Sequence, residues 1–203
     1  MTTWAIIPVK SYGRAKSRLN TLTRESRSQF ARALLERTMS AASESMGVES
    51  ILLATDCADI ARDATASGHH VQRDLPEELL GSVLDRALAY ASGAGATRAV
   101  ILMSDLPLVG PDDIDELVSE LDVAAAAIAP DRLDAGTNAL ALRLPASVQT
   151  CFGNADSFSR HLHVLRGHYE SLAIVRNPGL AFDVDVPSDL DDVSPDLLPT
   201  QYS

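Results

Sequence analysis

Short apolar runs alternate with longer amphipathic segments along most of this chain, and no other feature limits its fold more. The runs WAIIPV (4–9), SILLAT (50–55), RAVILM (98–103) and VAAAAIA (123–129) read as buried strands. The last is the weakest of them, because alanine favours helix. Between them, residues 27–43, 57–67 and 78–92 carry apolar residues at helical spacing. Residues 110–121 begin as a helix should, with Pro111 in the first turn and Asp112 and Asp113 against the positive helix end. Strand–helix–strand repetition requires right-handed crossovers and a mainly parallel sheet. Further on, 138–144, 171–176 and 181–186 read as strands, with a helix over 155–168. The pattern predicts a single-domain α/β fold over 1–203, without repeats or a dividing linker.

The 203 residues are 46% hydrophobic, enough for a substantial core, and no apolar run reaches membrane-spanning length. WAIIPV is too short for a secretory h-region, and basic residues follow it. Cys57 and Cys151 fit neither a metal motif nor a disulfide framework, so the expectation is a reduced, cytoplasmic protein. A net charge of −11 excludes general nucleic-acid binding, which needs a broad basic footprint. An anionic ligand must therefore be held by a local site. The candidate lies just after the first strand, where Lys10, Arg14, Lys16, Arg18 and Arg24 all precede the first acidic residue, Glu25. Lys10 and Lys16 are the chain's only lysines. This loop matches neither a dinucleotide nor a P-loop fingerprint, but its charges suit a polyphosphate.

Ligands of open parallel sheets bind beyond the carboxyl ends of the strands. Asp105 ends the 98–103 strand in the sequence SDLP and should point into that crevice. Asp183 and Asp185, two apart on a predicted strand, share a face. These carboxylates read equally as Mg²⁺ ligands or as an acidic strand end. Asp189, Asp191 and Asp192 read as helix capping or solvation. In DAGTNAL, Gly136 permits close backbone approach, while Thr137 and Asn138 either bind an anionic group or merely complete a hairpin turn. Ser157 and His161 fall on one helical face. His161 and His163 do not suit zinc, because their two-residue spacing fits a strand and no cysteine partner is near. His69 and His70 are expected in an exposed turn, and Cys57 as a small buried or helix-start residue rather than a nucleophile.

IPVK, AKSRL, DLP, GTNAL, the Gly153–Ser157–His161 segment and DVDVPSDL, in that order, resemble the CofC family of guanylyltransferases across nearly the whole chain. That resemblance implies a GT-A-like, Rossmann-related nucleotidyltransferase fold. It implies transfer of GMP from GTP to a small three-carbon phospho-acid with release of pyrophosphate, in biosynthesis of the deazaflavin coenzyme F-420. By the same resemblance, Lys10, Arg14, Lys16 and Arg18 hold the triphosphate, with Lys16 and Asp105 catalytic. Asp105, Asp183 and Asp185 bind Mg²⁺, and Thr137 and Ser157 hold the acceptor's carboxylate.

Two positions depart from the family pattern. VLDRAL replaces GLNxAL, so Asp85 stands in place of an asparagine, Arg86 is added, and Asp85 is expected to read guanine. Asn154 occupies the place of a glycine, and the spacing from Gly153 to Ser157 is one residue longer. The acceptor is 2-phospho-L-lactate, phosphoenolpyruvate or 3-phospho-D-glycerate, and the added amide of Asn154 leans towards the hydroxyl-bearing 3-phosphoglycerate. Alternatives on the same fold are a molybdopterin or sugar nucleotidyltransferase, whose glycine-rich opening loop is absent, and a non-catalytic nucleotide-binding protein. The alanine-rich helices could pack on a twin subunit, giving a homodimer, or on the sheet.

Overall fold

A computed structural model describes residues 1–12, 16, 18–75 and 77–199. Its strands are β1 (Thr3–Val9), β2 (Ser50–Thr55), β3 (His70–Arg73), β4 (Arg98–Leu102), β5 (Ala126–Pro130), β6 (Thr137–Arg143) and β7 (Leu172–Ile174). They form one sheet in the order β3-β2-β1-β4-β6-β5-β7. All pairings are parallel except the two made by β6, which enters through a hairpin from β5 and pairs antiparallel with both neighbours.

The helices are α1 (Arg24–Glu44), α2 (Ala58–Ala66), α3 (Leu80–Gly93), α4 (Pro111–Ser119), α5 (Ser157–His168) and the single turn α6 (Pro178–Ala181). Alternate residues of each strand face opposite layers. Ala5, Ile7, Leu53 and Val100 pack under α1, α2 and α4, whereas Trp4, Ile6, Leu52 and Ile101 pack under α3 and α5. Ala41 and Ala42 of α1 and Ala87 and Ala91 of α3 are buried in these layers, so the alanines let the helices sit close on their own sheet. Among the described residues no helix is long and apolar enough to cross a membrane.

Three expectations change. First, β3 lies where a turn was expected. His70 opens it and stacks on Trp4 with ring centroids 4.2 Å apart, and both His69 and His70 are half-buried. A four-residue edge strand with polar ends carries too little apolar pattern to be read. Second, β5 begins at Ala126, and Val123 is exposed beyond a 3-10 turn. Third, residues 181–186 form no strand. Alternation there reports an extended segment with one buried face, not sheet pairing. Phe182 and Val184 enter a third cluster with Leu19, Leu22, Phe30, Leu34, Leu190 and Val193. This small core clamps the segment after β1 against the C-terminal segment, above the carboxyl ends of the central strands.

Candidate active site

The third cluster decides the geometry of the site. Leu19 is fully buried in it, three residues after Lys16 and one after Arg18; Phe182 and Val184 alternate with Asp183 and Asp185. Packing the apolar partners therefore brings the basic and acidic side chains face to face. Lys16 Nζ donates to Asp105 Oδ2 at 2.9 Å and to the Val184 carbonyl at 2.7 Å, tying together the β1 loop, the end of β4 and the C-terminal segment. That pair is well shielded, whereas Arg18 meets Asp185 at 3.0 Å in the open. Lys16 has φ +54°, a left-handed backbone that a non-glycine residue adopts only under local constraint. Its carbonyl accepts from Leu19 N–H at 3.0 Å, closing the turn.

One carboxylate oxygen each from Asp105, Asp183 and Asp185 lies within 4.8 Å of the others. Burial, then the neighbouring Asp105 charge, pushes the Asp183 carboxyl up to about 6; Asn138 Nδ2, at 3.3 Å, partly offsets this. Like-charged oxygens gathered in a half-buried site are the donor set a hard divalent cation such as Mg²⁺ takes. Asp189, expected as a cap, accepts from the Asp185 and Val186 N–H groups at 2.8 and 2.9 Å and from Arg132 at 2.8 Å. Burial raises its pKa, but these bonds outweigh burial and hold it below the ordinary value. Arg132 also lies 4.2 Å over the Phe182 ring. It is a supporting residue with no motif to announce it.

Lys16, Arg18, Asp105 and Asp185 border a cleft of about 310 Å³ whose described lining also includes Lys10, Tyr12, Asp74, Glu78 and Ser104. Arg14, the remaining expected phosphate ligand, lies outside the described residues. Asp85 does not line the cleft. Its carboxylate accepts from Thr150 N–H at 2.8 Å, fastening α3 to the chain leading into Cys151.

The other expected group assembles at the start of β6. Ser157 Oγ accepts from Thr137 N–H at 3.0 Å, and Thr137 Oγ1 meets His161 Nδ1 at 3.0 Å. Cys151 N–H donates to His161 Nε2 at 2.7 Å. The imidazole must therefore accept at Nε2, which leaves the proton on Nδ1 to donate to Thr137. Burial lowers its pKa to about 4 and keeps the ring neutral. Asn138, next to Thr137, is the link to Asp183, so this group adjoins the carboxylate cluster. Asn154 does not join it: the side chain is exposed and donates to the Cys151 carbonyl at 2.9 Å. Gly136 serves the hairpin itself. A Cβ there would stand 2.8 Å from Asp131 Oδ2, which caps the turn by accepting from the Gly136 N–H.

A mostly parallel sheet with a basic loop after its first strand, facing clustered carboxylates beyond the fourth, defines a nucleotidyltransferase. The backbone is similar to that of a Desulfovibrio desulfuricans protein described as a nucleotide-diphospho-sugar transferase, with TM-score 0.76 and 18% identity over 94% of this chain and 86% of that one. Residues 3–194 match the family described as "Guanylyl transferase CofC like", and the chain belongs to that family. It is 35% identical to the phosphoenolpyruvate guanylyltransferase of Sphaerobacter thermophilus, over 96% of this chain and 93% of the relative. It is 30% identical to the 2-phospho-L-lactate guanylyltransferase of Methanothermobacter thermautotrophicus, over 95% and 84% of the two chains. Neither relative supports the lean towards 3-phosphoglycerate, and the amide on which it rested is tied to Cys151.

Proposed function

We propose that this protein transfers GMP from GTP to the phosphate of phosphoenolpyruvate or 2-phospho-L-lactate, with release of pyrophosphate, as a step of coenzyme F-420 biosynthesis in the cytoplasm. The observation that carries this reading is the meeting of Lys16, Asp105 and Asp185 at one cleft, with Asp183 gathered against the two carboxylates, in a chain whose relatives bear those names.

An acceptor phosphate oxygen attacks the α-phosphorus of GTP, and the bond to the bridging oxygen of pyrophosphate breaks. Both anions are already ionised, so no protein nucleophile or strong base is required. The residues must align the reactants and offset their repulsion. Among the described residues Lys16 donates two of its three N–H groups, and the third would serve a phosphate oxygen. Lys10 and Arg18 add charge at the same mouth. Asp105, Asp183 and Asp185 would hold Mg²⁺, which when bound supplies further neutralisation of the phosphates. Thr137 and Ser157 each accept one internal hydrogen bond, leaving their hydroxyl hydrogens for the acceptor's carboxylate. His161 orients Thr137 for that task.

The test is pyrophosphate release from GTP and Mg²⁺ with phosphoenolpyruvate, 2-phospho-L-lactate or 3-phosphoglycerate supplied separately, and ATP as the control nucleotide. Release with GTP that depends on one of the first two acids is expected. Release only with 3-phosphoglycerate, or with none of the three, would overturn the reading.

A further inference from the structure

Two carboxylates of the cleft, Asp74 and Glu78, are not accounted for by the phosphate and metal chemistry. Asp74 follows β3 directly, its N–H bonded to the Thr55 carbonyl at 3.0 Å. Its Oδ1 is buried and has no hydrogen-bond partner among the described residues. A buried anionic oxygen without a donor is costly, and native chains keep one where something else completes it.

The nearby cation does not complete it. Arg86 donates to Glu78 at 3.2 and 2.7 Å and to the Arg73 carbonyl at 3.2 Å; Glu78 in turn accepts from Leu75 N–H at 3.0 Å. That pair ties Arg73 and Leu75 to Arg86 and Glu78, and none of these bonds reaches the Asp74 carboxylate. The cleft that Asp74 lines also has Leu80 and Val83 of α3, Pro8 of β1 and Met103 after β4 in its walls, apolar surface that a flat ring can cover.

Position along the sheet favours the same occupant. Asp105 follows β4 and Asp74 follows β3, three strands apart in the order β3-β2-β1-β4. At about 4.8 Å between strands, that separation is about 14 Å, comparable to an extended nucleoside triphosphate. With its phosphates at Lys16 and Asp105, such a ligand places its base at Asp74.

We propose that Asp74 is the residue that selects guanine, accepting from the N1–H and the exocyclic amine of the base. The proposal rests on the guanylyltransferase reading and moves base selection from Asp85 to Asp74. Guanine offers two adjacent donors, which match an ionised carboxylate. Adenine presents an unprotonated ring nitrogen at the equivalent edge, and xanthine replaces the amine with a carbonyl. Either would leave the carboxylate facing an acceptor. An asparagine reverses the second preference, because its amide N–H₂ donates to the xanthine carbonyl while its oxygen still accepts from N1–H.

The experiment titrates GTP, ITP, XTP and ATP with Mg²⁺ against the wild type and Asp74→Asn, without acceptor, and repeats the comparison as pyrophosphate release with the accepted phospho-acid. The wild type should favour GTP. Asp74→Asn should lose about 10- to 100-fold in GTP affinity and gain in XTP affinity. A gain cannot come from a misfolded variant. An unchanged GTP-to-XTP ratio in Asp74→Asn overturns the assignment while leaving the guanylyltransferase reading intact. Wild-type protein that binds none of the four overturns both.

Discussion

Lys16 shows how one residue can serve the fold and the chemistry together. Its left-handed backbone aims the ammonium at Asp105 and the Val184 carbonyl, so charge, strain and packing converge at one atom. Lys16→Ala and Asp105→Asn should each lower kcat by about 10²- to 10³-fold while the melting temperature stays within a few degrees of the wild type. Near-normal turnover in either would remove that residue from the site. Asp74 makes a separate prediction about stability. Its carboxyl is pushed up to about 6, chiefly by burial; Glu78 and Asp56 add to the rise, and Arg86 and Arg73 oppose it. A raised folded-state pKa means that the folded protein holds the proton more tightly, so stability falls as pH rises from the ordinary value of 3.8 through about 6. Asp74→Asn lacks this penalty. Its melting temperature should gain on the wild type between pH 4 and pH 7 and stay level above that. A gap that does not change with pH would show that the Asp74 charge is not penalised.

At the scale of elements, the third hydrophobic cluster couples stability to function. Leu19 is wholly buried between α1 and the C-terminal segment. Leu19→Ala should cost about 2–5 kcal/mol by cavity formation. It should also lower turnover at temperatures where the variant is still folded, since it loosens the turn that presents Lys16 and Arg18. Destabilisation in denaturant melts with unchanged turnover would separate the cluster from the site. The β5–β6 hairpin is a second such element. Gly136→Ala sets a Cβ against the Asp131 carboxylate that organises the turn, and the displaced Thr137 should raise the KM for the acceptor more than that for GTP.

Across the whole molecule, a net charge of −11 opposes the approach of two phosphorylated substrates, and only a concentrated basic patch can reverse that locally. Lys16 and Arg18 of that patch face Asp105 and Asp185, and the proposed Mg²⁺ would compete with them for these carboxylates. Mg²⁺ should raise the melting temperature of the wild type and leave Asp105→Asn nearly unmoved. Chelation should abolish turnover reversibly. An equal Mg²⁺ shift in both proteins would place the cation elsewhere.

By itself the sequence determined the α/β class, the parallel core strands and the order of the motifs. These follow from local periodicity, which the chain carries residue by residue: a buried strand between helices must read as an apolar run. The basic loop and Asp105 were legible for a related reason, since charges at strand ends have few structural uses. Tertiary structure alone decided what each of these groups faces. Asp183 and Asp185 reach Asp105 without being on a strand, because Phe182 and Val184 are anchored to Leu19, far away in sequence. Asp85 and Asn154 stood at suggestive positions, yet one fastens a loop and the other bonds its neighbour's carbonyl. Asp74 gave no signal because β3, which it follows, is too short to be seen. Whether a carboxylate is paired or left waiting depends on which donors packing delivers to it, and that information lies in no local stretch of the chain.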